Sequence, residues 1–283
     1  MRRPITAQTR IAGVVGHPAR HSLSPVIHNA WIEAAALDAV YLAFEPPVER
    51  FEAFIEGLRG RCVNGLNVTT PFKERAFALA TESDPASAFI QAANVLAFAE
   101  DGAIAATSTD GEGLLAALEA AGVDFRLGPV VVLGAGGAAR SIGHALRWGG
   151  AGEIRVVNRT LDRAQALIDL DPDRTFAYAW SDAAKALDGA SAIINATSLG
   201  MKGQPPLTLD LDPAPLTAVV ADIVYHPLVT PLLDQARRRG RRTVDGLAML
   251  IGQAAPSFEA FFGRPPPDLD VRALCEAALR DRP

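Results

Sequence analysis

The stretch that most narrows what this chain can fold into is Val130-Val131-Val132-Leu133, followed at once by Gly134-Ala135-Gly136-Gly137-Ala138-Ala139. An unbroken apolar run without alternation suits a strand buried on both faces, as in parallel sheets covered by helices. The glycine-rich stretch fits G-x-G-x-x-[G/A] where a strand gives way to a helix. Gly134 would make the tight turn and Gly136 would let the backbone approach a pyrophosphate. The amide N–H groups and dipole at the helix start would hold its negative charge. The spacing predicts a dinucleotide site contacted by Gly134, Ala135, Gly136, Gly137 and Ala138.

The next strand selects the dinucleotide. A protein preferring NAD places an acid about 20 residues on, where it accepts the ribose hydroxyl. This chain has Asn158-Arg159-Thr160 there, with Arg163 one turn further. Two guanidinium groups can grip a 2′-phosphate, and NADP is the expected cofactor. A second small-residue turn, Asn195-Ala196-Thr197-Ser198-Leu199-Gly200-Met201, again follows an apolar strand. Ligands bind beyond the carboxyl ends of strands in open α/β sheets, so Thr197, Ser198 and Met201 are read as a wall beside the nicotinamide.

The chain around these turns alternates strands and helices. Strands are expected over 11–15, 39–44 and 62–68, with helices over 25–37, 48–59 and 73–80, an order that argues a largely parallel sheet. A helix near 111–122 leads to a second series: strands at 130–133, 153–157, 192–195 and 218–224, with helices at 136–148, 163–168 and 231–239. This series is of the doubly wound type. Two further helices, 247–262 and 271–279, close the chain. With 283 residues there is length for two domains.

Composition excludes several classes of function. Twenty-seven basic residues stand against 32 acidic ones, a net charge of −5, which argues against nucleic-acid binding because phosphate neutralisation needs clustered cations. The basic group around Gly240, from Arg237 to Arg242, reads as a solvated helix end complementing the macrodipole. Cys62 and Cys275 have no metal-ligand or disulfide spacing and are expected to be buried thiols in a reducing compartment. No secretory signal and no apolar stretch near 18 residues is found, so a soluble, cytoplasmic protein without a membrane partner is expected. No metal is assigned to His17, His21 and His28, and His28-Asn29 reads as a packed, hydrogen-bonded pair.

Polar residues gather at strand ends in the first half. Ser22 and Ser24, at i and i+2 before a helix, can cap that helix or present hydroxyls to a ligand carboxylate. Asn67, Thr69, Thr70 and Lys73 lead off one strand. Asn94 follows, and then Thr109-Asp110-Gly111 supplies a carboxylate. Singly each is a common surface group; together they suggest a site.

In these segments the sequence resembles the shikimate dehydrogenase family over essentially its whole length. The family's S-x-S corresponds to Ser22 and Ser24, its N-V-T-x-P-x-K to Asn67 through Lys73, its substrate asparagine to Asn94 and its T-D to Thr109 and Asp110. The motifs G-A-G-G-A, N-R-T-x-x-R and N-A-T-S-x-G-M match 134–138, 158–163 and 195–201. The motifs D-x-x-Y-x-P-x-x-T-P and G-x-x-M-L-x-x-Q match Asp222 to Pro231 and Gly246 to Gln253.

The resemblance implies a two-domain α/β fold. Residues 1–110 with 246–283 would form a mainly parallel substrate-binding and catalytic domain, to which the C-terminal helices return; 111–245 would form a Rossmann-type NADP-binding domain, with the active site in the cleft between. Reversible NADPH-dependent reduction of 3-dehydroshikimate to shikimate is implied. Ser22 and Ser24 would hold the ring carboxylate with Tyr225. Asn67, Thr69, Asn94, Asp110 and Gln253 would bind the substrate, Ile223 and Gly246 would lie by the cofactor, and Lys73 and Asp110 would be catalytic. Lys73 would exchange the proton with the ring oxygen while Asp110 orients its ammonium. The partners implied are small molecules alone, with the chain a monomer or homodimer.

Three positions depart from the family pattern: Ser108 for Asn, Val95 for Thr and Gln91 for Gly. They bear on substrate preference more than on reaction type. A quinate or dual-specificity dehydrogenase is the nearest alternative, although Ser24 and Asn158 differ from the Thr and the acid typical of quinate relatives. A non-catalytic NADP or shikimate sensor is the alternative of another class, and it would be expected to lack Lys73 and Asp110.

Overall fold

The structure, a computed structural model, describes residues 4–60, 63–169 and 171–280. Cys62, the expected start of the third strand, lies outside them. The chain forms two compact units, one running to Thr109 and resuming at Gln253, the other spanning Asp110–Gly252.

The first unit contains β1 (Arg10–Val15), α1 (Ser24–Ala34), β2 (Ala39–Phe44), α2 (Phe51–Glu56), β3 (Val63–Val68), α3 (Lys73–Leu79), β4 (Glu82–Ser83), α4 (Pro85–Ile90), β5 (Val95–Phe98) and β6 (Ile104–Thr107). Its sheet order is β2-β1-β3-β5-β6-β4. β2, β1 and β3 run parallel, as the alternating sequence pattern requires. β5 and β6 instead form an antiparallel meander on β3. The meander turns where Gly102, at φ +90, follows Asp101, whose carboxylate accepts the Ala103 N–H at 2.9 Å. Its strands are only four residues long, too short for hydrophobic periodicity to announce them.

The core of this unit joins Val15, Leu66, Val68, Leu96 and Ile104 from the sheet to Phe51 and Phe72, whose rings stack at 4.2 Å. Gln91 closes α4 in the left-handed conformation, φ +55. That backbone need explains why glycine suits the position, since a side chain there costs about 1 kcal/mol.

The helix α10 (Gly246–Phe262) contributes its part from Gln253 to this unit, followed by α11 (Val271–Arg280), which packs on α1. Gly65 allows the approach of α10: a Cβ there would lie 2.3 Å from the Phe261 ring. The neighbouring Asn64 amide donates to the Phe261 carbonyl at 3.0 Å.

The second unit contains α5 (Asp110–Ala120), β7 (Val130–Leu133), α6 (Gly137–Trp148), β8 (Ile154–Asn158), α7 (Leu161–Ile168), β9 (Thr175–Ala179), α8 (Ala183–Leu187), β10 (Ala192–Asn195), β11 (Val219–Asp222), α9 (Pro231–Arg238) and β12 (Thr243–Val244). All strands are parallel, in the order β12-β11-β10-β7-β8-β9. Counted from β7, this is the doubly wound order 3-2-1-4-5-6, whose direction reverses between β7 and β10. Val130 and Val132 enter one apolar layer and Val131 and Leu133 the other. Opposite faces of one strand are therefore both covered, which is why its sequence does not alternate. β9 sits at the sheet edge with Phe176 exposed and lacks such a run.

Of the arginines around Gly240, Arg237, Arg238 and Arg239 are exposed at the end of α9, as expected, whereas Arg241 departs from a solvated helix end. Arg241 is buried, and its guanidinium donates to the carbonyls of Leu211 at 2.8 Å and Ala214 at 2.9 Å, and to that of Pro215. Arg242 reaches the Ala121 carbonyl at 2.8 Å. They tie the β11–β12 edge to neighbouring loops. Cys275 is buried. Among the described residues no helix is long and apolar enough to cross a membrane.

Candidate active site

In the second unit the turn after β7 is shaped by Gly134, at φ +108. A Cβ there would also lie 2.8 Å from Thr197 Cγ2, so glycine lets the 134 and 197 turns approach. Gly136 caps α6, and a Cβ at that position would meet nothing within 4 Å. The first turn of α6 carries no acid, and no side chain caps its N–H groups. Open space facing amide donors at a helix start suits a pyrophosphate.

At the end of β8, the Asn158 amide donates to the Thr160 carbonyl at 2.7 Å and holds the turn that starts α7. Arg159 and Arg163 are exposed on either side of it, with Asp162 the acid of that helix turn. These residues fit an adenosine 2′-phosphate: two cations beside a neutral Asn158.

Asn195, at the end of β10, shapes the 195–201 turn. Its Oδ1 accepts the Thr197 N–H at 3.0 Å and hydroxyl at 2.7 Å, and its Nδ2 donates to the Leu199 carbonyl at 3.1 Å. Ser198 and Met201 are exposed on that turn. Next to it, the Ile223 N–H donates to the Asn195 carbonyl at 3.0 Å. Gly246 packs against Ile223 so closely that a Cβ would lie 2.3 Å from its carbonyl oxygen. Tyr225 is half-buried on the segment after β11, and Asp110, buried, opens α5.

The substrate residues expected in the first unit share one network. Ser22 Oγ accepts the Ser24 N–H at 3.1 Å, and Ser24 begins α1 in a buried position. The Ser24 hydroxyl hydrogen-bonds the phenol of Tyr41, which donates to Asn67 Oδ1 at 2.7 Å. Burial pushes that phenol well above its ordinary pKa, so Tyr41 is a neutral donor. Asn67 Nδ2 donates to Ser257 Oγ at 2.8 Å, and Ser257 donates to the Gln253 carbonyl at 2.9 Å. Asn94 Nδ2 donates to Thr109 Oγ1 at 2.9 Å and Gln253 Oε1 at 3.2 Å, while its Oδ1 accepts the Thr109 N–H at 2.7 Å.

Thr69 and Lys73 flank this network. The Thr69 N–H donates to the Val15 carbonyl at 2.9 Å, and Lys73 is the first residue of α3, half-buried, its carbonyl accepting the Ala93 N–H at 3.0 Å. Ser24, Asn67, Asn94, Thr109 and Gln253 are thus joined within the first unit, while Lys73 and Asp110 belong to different units.

Sequence reasoning did not find Tyr41 or Ser257. Tyr41 reads as an ordinary strand aromatic, and Ser257 lies mid-helix without a motif role. His28 is packed as expected but is not hydrogen-bonded: both ring nitrogens are buried without a partner. Its ring stacks on Tyr41 at 4.2 Å, with Trp31 edge-on at 5.6 Å. Asn29 makes the bonds instead, donating to the Pro25 and Tyr41 carbonyls at 2.8 Å.

The doubly wound sheet, its open glycine turn and the two arginines define a dinucleotide-binding α/β protein of the dehydrogenase type. More narrowly, the chain belongs to the shikimate dehydrogenase family. Residues 14–96 match the shikimate dehydrogenase substrate binding domain, 116–201 the shikimate / quinate 5-dehydrogenase family, and 246–280 the shikimate 5′-dehydrogenase C-terminal domain. The shikimate dehydrogenase (NADP(+)) of Caulobacter vibrioides is 51% identical over 277 residues, 97% of each chain. The shikimate 5-dehydrogenase of Thermus thermophilus, solved with NADP(H) and shikimate, superposes with a TM-score of 0.85 at 34% identity, covering 96% of this chain and 99% of that one. The quinate dehydrogenase of Corynebacterium glutamicum, solved with NAD, gives 0.86 at 27% identity, over 96% and 99%.

Proposed function

We propose that this chain catalyses the reversible reduction of 3-dehydroshikimate to shikimate with NADPH. The observation that carries the reading is the joined cluster of Asn67, Asn94, Thr109 and Gln253, a set of amides and hydroxyls suited to a polyhydroxylated ring. It is supported by the family relationship and by the NADP(+)-dependent naming of the Caulobacter vibrioides relative.

In this reading Ser22 and Ser24 hold the ring carboxylate together with Tyr225. Asn67, Thr69, Asn94, Asp110 and Gln253 orient the ring hydroxyls. The backbone of Gly134, Ala135, Gly136, Gly137 and Ala138 receives the pyrophosphate, and Asn158, Arg159, Thr160 and Arg163 receive the adenosine 2′-phosphate. Thr197, Ser198, Met201, Ile223 and Gly246 line the nicotinamide. When bound, the cofactor supplies the hydride to the ring ketone or takes it back. Lys73 gives its ammonium proton to the developing alkoxide in reduction and withdraws it in oxidation. Asp110 orients that ammonium. In this reading the substrate domain, 1–110 with 246–283, extends beyond the first compact unit by Asp110 and by residues 246–252 at the start of α10, and the NADP domain is 111–245. The same reading makes the chain a cytoplasmic monomer or homodimer acting on small molecules alone.

Initial rates with shikimate and with quinate, each with NADP⁺ and NAD⁺, test the proposal. Shikimate with NADP⁺ is expected to give the highest kcat/KM. A preference for quinate with NAD⁺ would move the chain to the quinate branch. Binding of shikimate without any NADPH formation would make it a sensor.

A further inference from the structure

Asp222 ends β11 and is the one acid there, buried to 1% exposure after three apolar residues. A carboxylate at such a place is retained against its desolvation only by donors aimed at it. Three are present. Oδ1 accepts Asn195 Nδ2 at 2.9 Å and the Val224 N–H at 3.0 Å, and Oδ2 accepts the Thr230 hydroxyl at 2.7 Å. Asn195 is its partner in register on the neighbouring strand β10. The two side chains meet at the carboxyl edge of the sheet, where ligands of open α/β folds bind.

Each donor leads to a different segment. Through Asn195, Asp222 reaches the 195–201 turn, because Asn195 Oδ1 accepts from Thr197 and its Nδ2 donates to Leu199. Through Val224 it fixes the first residues after β11, between Ile223 and Tyr225. Through Thr230 it fixes the far end of that loop, since the same hydroxyl oxygen caps α9 by accepting the Leu233 N–H at 3.3 Å. One carboxylate therefore holds both loops that carry Thr197, Ser198, Met201, Ile223 and Tyr225.

We infer that Asp222 is a positioning residue that sets the 195–201 and 223–230 loops at the nicotinamide end of the cofactor, without touching it. The inference rests on the proposed function, in which those loops line the nicotinamide while Asn158, Arg159 and Arg163 take the adenosine 2′-phosphate. The two ends of the cofactor can be read separately. NADP⁺ uses both, whereas adenosine 2′,5′-bisphosphate uses only the phosphate end.

The test is to titrate wild-type protein and Asp222→Asn with each compound by calorimetry. The amide can still accept from Asn195 and Val224, but it presents an NH₂ group to the Thr230 hydroxyl in place of a carboxylate oxygen. The variant is expected to bind NADP⁺ about tenfold more weakly while its affinity for the bisphosphate stays within about twofold. An unchanged NADP⁺ affinity, or equal weakening toward both compounds, would overturn the inference, the second because it marks a general loss of the unit's fold. If Asp222→Asn does not fold, Thr230→Val, which deletes only the hydroxyl, decides by the same two titrations, with a smaller loss confined to NADP⁺ expected. Wild-type protein that binds neither compound would defeat the functional reading itself.

Discussion

The phenol of Tyr41 donates to Oδ1 of Asn67 across 2.7 Å, inside the first unit, while its oxygen is hydrogen-bonded by Ser24. One hydroxyl therefore links the residue proposed to hold the ring carboxylate to one proposed to hold a ring hydroxyl. Removing it in Tyr41→Phe leaves the aromatic stack with His28 in place but strands two buried polar groups, a loss of about 1–3 kcal/mol. The KM for shikimate is expected to rise about tenfold, with kcat changed by less than about threefold and NADP⁺ affinity unaltered. An unchanged KM would show that Ser24 and Asn67 are held without the phenol.

Lys73 begins α3 at the end of the segment that carries Asn67 and Thr69. As the group that exchanges the proton, it acts in the transition state more than in binding. Lys73→Ala is expected to lower kcat by about 10²-fold or more and leave NADP⁺ affinity nearly intact. Steady-state rates with a parallel binding titration check this, and wild-type turnover in the variant would remove Lys73 from the chemistry.

Arg159 and Arg163 are exposed around the turn that Asn158 holds. Replacing both with alanine removes charge-assisted bonds to a 2′-phosphate and little else. The ratio of kcat/KM with NADP⁺ to that with NAD⁺ is expected to fall by about 10- to 100-fold, mostly through the NADP⁺ KM. A constant ratio would mean that other groups read the phosphate.

His28 carries a pH dependence of stability. Burial without a hydrogen-bond partner lowers its pKa from 6.5 to about 3. Between these values the unfolded chain takes up a proton that the folded one refuses. Stability should therefore fall as pH drops below 6.5, by about 1.4 kcal/mol per pH unit at most, until the folded histidine titrates near 3. Asp222 has the opposite sign: burial pushes its pKa up to about 6, so its folded form binds the proton more tightly and loses stability as pH rises through about 6. Because the Asp222 contribution is common to both proteins, it cancels in a comparison of wild type with His28→Phe. Urea unfolding at pH 7 and pH 5 should show a clearly smaller acid loss in the variant. Equal losses would assign the acid sensitivity to other groups.

The sequence alone was sufficient for features whose causes are local. Val130–Leu133 had to be a strand covered on both faces, because four adjacent apolar side chains point alternately to opposite sides. The Gly134–Gly136 turn, the neutral Asn158 and its flanking arginines were readable for the same reason, being properties of contiguous residues. Only the tertiary structure decided the β5–β6 meander, since its four-residue strands gain their stability from pairing with β3 and each other rather than from any pattern of their own. The same holds for Tyr41 and Asp222. Asn67 meets Tyr41 from 26 residues away and Ser257 from 190, and Asp222 meets Asn195 from 27. A buried hydroxyl or carboxylate takes its role from the donors and acceptors the fold brings to it, and such distant partners leave no mark in the residues on either side.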